Sequence, residues 1–163
     1  MPGTKLSILF VCLGNICRSP LAESVFRHLV RQRGLEDRFE IDSAGTSGYH
    51  VGDPPDARSV ATASLRGIEV AGVSRQLVAE DLRRFDYVIA MDRENLEQTR
   101  RLQKRTNGSA RIHLLREWDP EGTDSDVPDP YYGGPRGFDD VHDIVERSCE
   151  ALLDDLHSEL DRS

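Results

Sequence analysis

Between Val11 and Glu23 the chain reads VCLGNICRSPLAE. Cys12 and Arg18 are separated by Leu13, Gly14, Asn15, Ile16 and Cys17, and Ser19-Pro20 follows. Most of these residues are poor choices for packing a core. Together they suit one task, which is holding a tetrahedral oxyanion beside a nucleophile. A thiol between a strand and a helix meets the positive end of the helix dipole and unpaired N–H groups, and both favour a thiolate. Gly14 permits a tight turn, and Asn15 tolerates left-handed backbone better than most residues. A turn of that kind aims consecutive N–H groups inward and forms an anion nest. Arg18 adds a planar fork that matches two oxygens of a phosphate. Ser19 can supply a hydroxyl to Cys12. Alone, a cysteine after a strand is usually a small buried hydrophobe, and a glycine turn is common in α/β proteins. The chemistry resides in the whole pattern, with Cys12 and Arg18 catalytic and Leu13, Gly14, Asn15, Ile16, Cys17 and Ser19 around the anion.

That pattern needs a strand before it and a helix behind it. LSILFV (Leu6–Val11) is a nearly continuous apolar run that reads as a strand buried on both faces. Pro20 suits the first turn of a helix, which carries Leu21, Val25, Phe26 and Leu29 at helical spacing and stops at Gly34. FEIDSAG (Phe39–Gly45), DYVIAMD (Asp86–Asp92) and RIHLL (Arg111–Leu115) read as further strands. Helices are expected over Asp53–Gly67 with a possible Asp56 cap, Leu77–Phe85 and Arg93–Gln103. Asp92 reads as the cap of the last of these. Glu117–Gly137 is rich in Pro, Gly and Asp and reads as one long loop, a length that is usually functional or disordered. Phe138, Val141, Val145, Cys149, Leu152, Leu156 and Leu160 form the apolar stripe of a C-terminal helix, with Cys149 in its core face. Alternating strands and helices imply a mostly parallel sheet covered on both faces. Ligands in such folds bind beyond the carboxyl ends of the strands, where Cys12 falls.

The composition bounds the possibilities. The 163 residues fit one domain, residues 1–163, and the 31% charged and 37% hydrophobic content is ordinary for a soluble chain. The net charge of −8 argues against nucleic-acid or anionic-membrane binding, which needs a basic field. No apolar run approaches the ~20 residues of a membrane span, and the first is too short for a secretory signal, so a cytoplasmic protein is expected. An odd count of three cysteines, Cys12, Cys17 and Cys149, is no disulfide framework and points to reduced thiols. His28, His50, His113, His142 and His157 are scattered without metal spacing, and Cys12 and Cys17 lack a second ligand pair for zinc.

The long loop holds VPDPYYGG, Val127–Gly134. A thiolate attack on a phosphoryl group expels an alkoxide or aryl oxide, which a general acid should protonate. Asp129, between Pro128 and Pro130, is stiffly placed for this, but Asp-Pro is also ordinary turn chemistry. On spacing alone Asp124, Asp126 and Asp129 are not distinguished. Tyr131 and Tyr132 suit a rim that grips a substrate ring, or the packing of the loop.

The stretch VCLGNICRSPLAE resembles the signature loop of the low-molecular-weight protein tyrosine phosphatases. DSAGT (Asp42–Thr46), MDRENL (Met91–Leu96) and VPDPYYGG resemble further motifs of that family in the expected order. The resemblance covers nearly the whole chain. It implies a four-stranded parallel sheet flanked by helices, a phosphate-binding loop after the first strand, no metal and no cofactor. It also implies a two-step reaction through phosphocysteine, with tyrosine-phosphorylated proteins as substrates and a monomeric enzyme. It selects Asp129 as the acid, places Ser43 in a network with Asn15 and Ser19 that braces the loop, and places Tyr49 where many members carry a tryptophan beside the entrance. The family often has a histidine where this chain has Gly72, so that extension of the network is not expected. Relatives acting on phosphoarginine carry threonine at the position of Ile16. A thiol-dependent arsenate reductase shares this loop but needs further resolving cysteines, and a non-catalytic phosphoprotein-binding module would not need an intact Cys, Arg and Asp set.

Overall fold

The nearly continuous apolar run LSILFVC, broken only by Ser7, forms the centre of the molecule as β1 (Leu6–Cys12). Alternate side chains of β1 enter different cores. Ile8, Phe10 and Cys12 join one cluster, and Leu9 and Val11 join the other. This is why the run shows no polar alternation. The computed structural model describes residues 5–122, 125–130 and 133–162.

The chain continues through α1 (Arg18–Gln32), β2 (Phe39–Gly45), α2 (Ala57–Leu65), α3 (Asp81–Arg84), β3 (Tyr87–Ala90), α4 (Arg93–Lys104), β4 (Arg111–Leu114) and α5 (Gly137–Arg162). The four strands pair in parallel in the order β2-β1-β3-β4. The single-domain α/β expectation with a four-stranded parallel sheet therefore holds. Helices α1, α2 and α5 cover one face, where Phe26 packs between Phe10 and Phe39 at centroid distances of 5.7 and 5.6 Å. Leu82 of α3, Phe85 just after it and the partly buried Leu102 of α4 cover the other. Because β2 and β3 lie on opposite sides of β1, the chain changes direction at the carboxyl end of β1. That is the crevice where such folds bind ligands.

The local signals are recognisable at element ends. Gly34 adopts φ +67 after α1, Asp56 caps α2 by accepting the Arg58 N–H, and Asp92 caps α4 by accepting the Asn95 N–H. Two expectations shift. The amphipathic stretch 77–85 yields only the four-residue α3, because the Asp81 carboxylate accepts the Val78 N–H and pairs with Arg75. The long loop is bracketed by 3-10 turns at Leu115–Trp118 and Gly134–Arg136. It is fastened by Asp119, fully buried, which accepts Arg116 Nε and Arg147 Nε at 2.8 Å each. Further along, the Val127 N–H bonds the Met91 carbonyl at 2.7 Å, and the Val127 side chain is fully buried.

His142 on α5 is fully buried, and its ring nitrogens have no aligned hydrogen-bond partner. Nε2 lies 3.2 Å from Glu146 Oε2 without that alignment. Burial, helped by Arg66 and opposed by Glu146 and Asp143, holds its pKa below the ordinary 6.5. The unfolded chain then binds a proton that the folded chain refuses, so this part of the stability is full above pH 6.5 and is lost as pH falls below it. In urea titrations, His142→Phe should lose less stability than wild type between about pH 7 and about pH 5. Equal losses would show that His142 does not titrate this way.

Candidate active site

β1 ends at Cys12, and the following residues cannot continue a strand because their carbonyls are taken from outside. The Cys12 and Leu13 carbonyls accept the N–H groups of Thr46 and Ser47, both at 2.9 Å. The Gly14 carbonyl accepts the Ser74 hydroxyl at 2.8 Å, the Ile16 carbonyl accepts the Asp56 N–H at 2.7 Å, and the Cys17 carbonyl opens α1 by accepting Leu21 N–H at 3.1 Å. With these carbonyls turned outward, the N–H groups turn inward. Those of Leu13, Gly14, Ile16, Cys17 and Arg18 have no acceptor among the described residues. This is an anion nest at a helix N-terminus.

Asn15 makes the turn possible. It sits at φ +57, the left-handed backbone that asparagine tolerates, and its N–H donates to Cys12 Sγ at 3.2 Å. Its side chain braces the loop from behind. Nδ2 donates to Ser19 Oγ at 2.8 Å and to Ser43 Oγ at 3.0 Å, and Oδ1 accepts the Arg75 N–H at 3.1 Å. Ser19 Oγ, which accepts from Asn15 Nδ2, lies 3.0 Å from Cys12 Sγ and 3.5 Å from the Ala44 carbonyl. Gly72 leaves the network without a histidine, yet Ser43 is satisfied by donating to Glu23 Oε1 at 2.6 Å. Gly72 itself adopts φ +102, where a side chain would be strained. Gly14 departs from the expected reason for a glycine: its φ is not positive, but a Cβ there would lie 2.9 Å from His50 Cδ2.

Arg18 is 7% exposed. Its Nη1 donates to Asp92 Oδ2 at 2.7 Å and to the Val127 carbonyl at 3.0 Å, while Nε and Nη2 have no partner among the described residues. Burial works against its charge, but the Cys12 thiolate and Asp92 outweigh burial and hold the guanidinium pKa above its ordinary value. Cys17 is buried, and burial together with Asp56 pushes its thiol up to about 12. It is therefore a thiol at neutral pH.

These groups face a cleft of about 330 Å³ lined by Cys12, Leu13, Gly14, Ile16, Cys17, Arg18, Tyr49 and Asp129, with Ser47 and His50. Asn15, Ser19 and Ser43 lie behind its floor. Tyr49 is 87% exposed at the rim, its ring edge-on to His50 at 5.0 Å. Tyr131 and Tyr132 lie outside the described residues. Sequence reasoning missed two participants. Asp92 is read as a helix cap, and its Oδ1 is one, but its Oδ2 carries the Arg18 ion pair. His50, set aside for want of metal spacing, stands in the cleft wall with Nδ1 3.0 Å from Asp53 Oδ2. Neither role has a local signal.

The sequence model of the family described as Low molecular weight phosphotyrosine protein phosphatase matches residues 7–162. The Low molecular weight phosphotyrosine protein phosphatase of Homo sapiens is 43% identical over 152 residues, spanning 93% of this chain and 96% of its own. A crystal structure of YfkJ from Bacillus subtilis superposes with a TM-score of 0.89 at 41% identity, covering 98% of this chain and 99% of that one. A crystal structure of a Drosophila arginine phosphatase superposes with a TM-score of 0.86 at 33% identity, covering 91% and 96%.

Asp92→Ala should lower kcat/KM for phenyl phosphate roughly tenfold or more, since a charge-assisted bond contributes about 1.5–3 kcal/mol. Asp92→Asn, which keeps the cap acceptor, should fall between. Assays well below the melting temperature separate this from the lost cap. Unchanged kcat/KM in both variants would remove Asp92 from the site.

Proposed function

The chain belongs to the low molecular weight phosphotyrosine protein phosphatases, and on that premise we propose how its residues divide the reaction. The reaction is phosphotyrosine hydrolysis by a cysteine-based mechanism. Cys12 Sγ attacks phosphorus in line as the P–O bond to the tyrosyl oxygen breaks. Asp129 donates its proton to that oxygen, and phosphocysteine forms. Water then attacks phosphorus, the Asp129 carboxylate takes its proton, and Cys12 departs as a thiolate helped by the Ser19 hydroxyl. The inward N–H groups of residues 13 to 18 and the Arg18 Nε and Nη2 donors hold the equatorial oxygens, where transition-state charge lies. Ile16 and Tyr49 flank the ring, and we assign Tyr131 and Tyr132 to the rim on the family resemblance alone. The observation that carries this reading is the outward fastening of the loop carbonyls, which leaves a ring of N–H donors around Cys12 in the cleft that Asp129 also lines.

We further assign this work to a monomer in a reducing cytoplasm, on tyrosine-phosphorylated proteins. The family supports this reading, and all three cysteines are free thiols. Arsenate reduction is disfavoured because Cys149, the only cysteine remote from the loop, is fully buried with its pKa raised by burial.

The acid assignment is tested by leaving-group dependence. Asp129→Asn should slow phenyl phosphate more than p-nitrophenyl phosphate, because a good leaving group needs less protonation. If both slow equally while phosphoenzyme formation limits each, Asp129 is not the first-step acid.

Phosphoarginine hydrolysis is the competing reading, given the similarity to the Drosophila arginine phosphatase. Ile16 in the cleft wall favours tyrosine. Desolvating a guanidinium against that branched apolar surface costs about 1–3 kcal/mol, or roughly ten- to a hundredfold in rate. Wild type should prefer phosphotyrosine peptides over phosphoarginine peptides in kcat/KM, and Ile16→Thr should lose part of that preference. A wild type that prefers phosphoarginine would overturn the substrate assignment.

A further inference from the structure

A second cleft, of about 250 Å³, opens on the far side of Leu13, Arg18 and Asp129, which form a wall shared with the phosphate cleft. Its other walls come from the start of α4 and the strap of the long loop, and they hold Asp92, Glu94, Asn95 and Asp126. Asp92 is satisfied by the Asn95 N–H and Arg18, but the other three are short of donors. Glu94 is an exposed carboxylate without an ion-pair or hydrogen-bond partner among the described residues. Asp126 is exposed and uses Oδ1 to accept the Arg93 N–H at 2.9 Å. Asn95 is 1% exposed, and its buried Oδ1 has no donor. Arg18 does not answer this need, because the nitrogen it sends this way is held by Asp92 and the Val127 carbonyl.

A buried acceptor without a donor is rare in native proteins and costly when left unmet. The guest that satisfies this lining carries positive charge and N–H donors with no acceptors, which is the inventory of a lysine ammonium or an arginine guanidinium. A divalent cation fits less well, because among the described residues no three His, Cys, Asp or Glu side chains converge as metal ligands. The shared wall sets the source of the cation. A peptide whose phosphotyrosine fills the first cleft passes the mouth of the second.

We propose that this cleft is a substrate subsite for a lysine or arginine side chain within about three residues of the phosphotyrosine, at ~3.3 Å per extended residue. It rests on the phosphotyrosine reading above and narrows the substrates to phosphotyrosines with a basic neighbour. The net charge of −8 works in the same direction by steering basic segments toward the enzyme.

Matched phosphotyrosine peptides carrying one Lys, Gln or Glu, scanned through the flanking positions on both sides, test this. Each kcat/KM is divided by the value of the same enzyme on phenyl phosphate. Lys should exceed Glu by about three- to tenfold at one or two positions at low salt, and the gap should close near 0.5 M salt, where the screening length is about 4 Å. Glu94→Gln should narrow the gap and Glu94→Lys should invert it. Glu94 is exposed on the first turn of α4, so neither change disturbs the core. Absence of a charge preference at every position, or a preference that survives unchanged in Glu94→Lys, would overturn the subsite while phenyl phosphate turnover leaves the phosphatase standing. Failure to turn over phenyl phosphate would overturn both.

Discussion

A guanidinium that is 7% exposed must be paired, and the pairing of Arg18 organises the catalytic end of the molecule. Removing one partner of a buried ion pair strands a charge and is strongly destabilising. Both partners of Arg18 Nη1 come from elsewhere in the chain. Asp92 stands just past β3, and the Val127 carbonyl belongs to the strap of the long loop. The pairing of β3 beside β1 and the bond from Val127 N–H to the Met91 carbonyl bring both partners to it. Asp129 follows Val127 by two residues. One nitrogen thus couples the nest to the loop that carries Asp129.

The nest shows how a chain of net charge −8 presents a site for a dianion. Little of the attraction needs net charge. It comes from N–H dipoles whose carbonyl ends are fixed by Thr46, Ser47, Asp56 and Ser74. Fixed donors need no reorganisation as charge develops on the phosphoryl oxygens, which is the condition under which electrostatic stabilisation is strongest. The cost is a left-handed residue at Asn15, and its amide offsets that cost with three hydrogen bonds. The amide accepts the Arg75 N–H and donates to Ser19 and Ser43, and Ser43 in turn donates to Glu23, so Gly72 does not open a hole in the hydrogen bonding.

Acidic side chains surround the cleft without cancelling it, because they are engaged in different directions. Asp92 faces Arg18, Asp53 faces His50, and Asp42 and Asp81 hold Arg75, whose N–H braces Asn15. Asp119 anchors the start of the long loop between Arg116 and Arg147. Each carboxylate serves to place a positive or donor group. Glu94, at the start of α4, instead has no such partner among the described residues and lines the second cleft with Asp126.

Much of this was readable from local order alone. A nearly continuous apolar run specifies a strand buried on both faces, and β1 is one. The Cys12-to-Arg18 spacing, with Asn15 able to turn left-handed, specifies the nest because its geometry is made by consecutive backbone groups. The caps at Asp56 and Asp92 and the stop at Gly34 are likewise short-range effects. The roles of His50, Asp92 Oδ2, the Val127 carbonyl and the donor-poor cleft at Asn95 were not readable. Each depends on residues as far apart as Arg18 and Val127 meeting across the sheet, and no spacing in a one-dimensional chain records that meeting. The different placement of Asp129 and Asp126 has the same origin, since spacing does not separate them and only the family resemblance singles out Asp129. Both lie on one loop with similar neighbours, and only the fastening of Val127 beneath Arg18 turns Asp129 toward Cys12 and Asp126 toward the helix at Arg93.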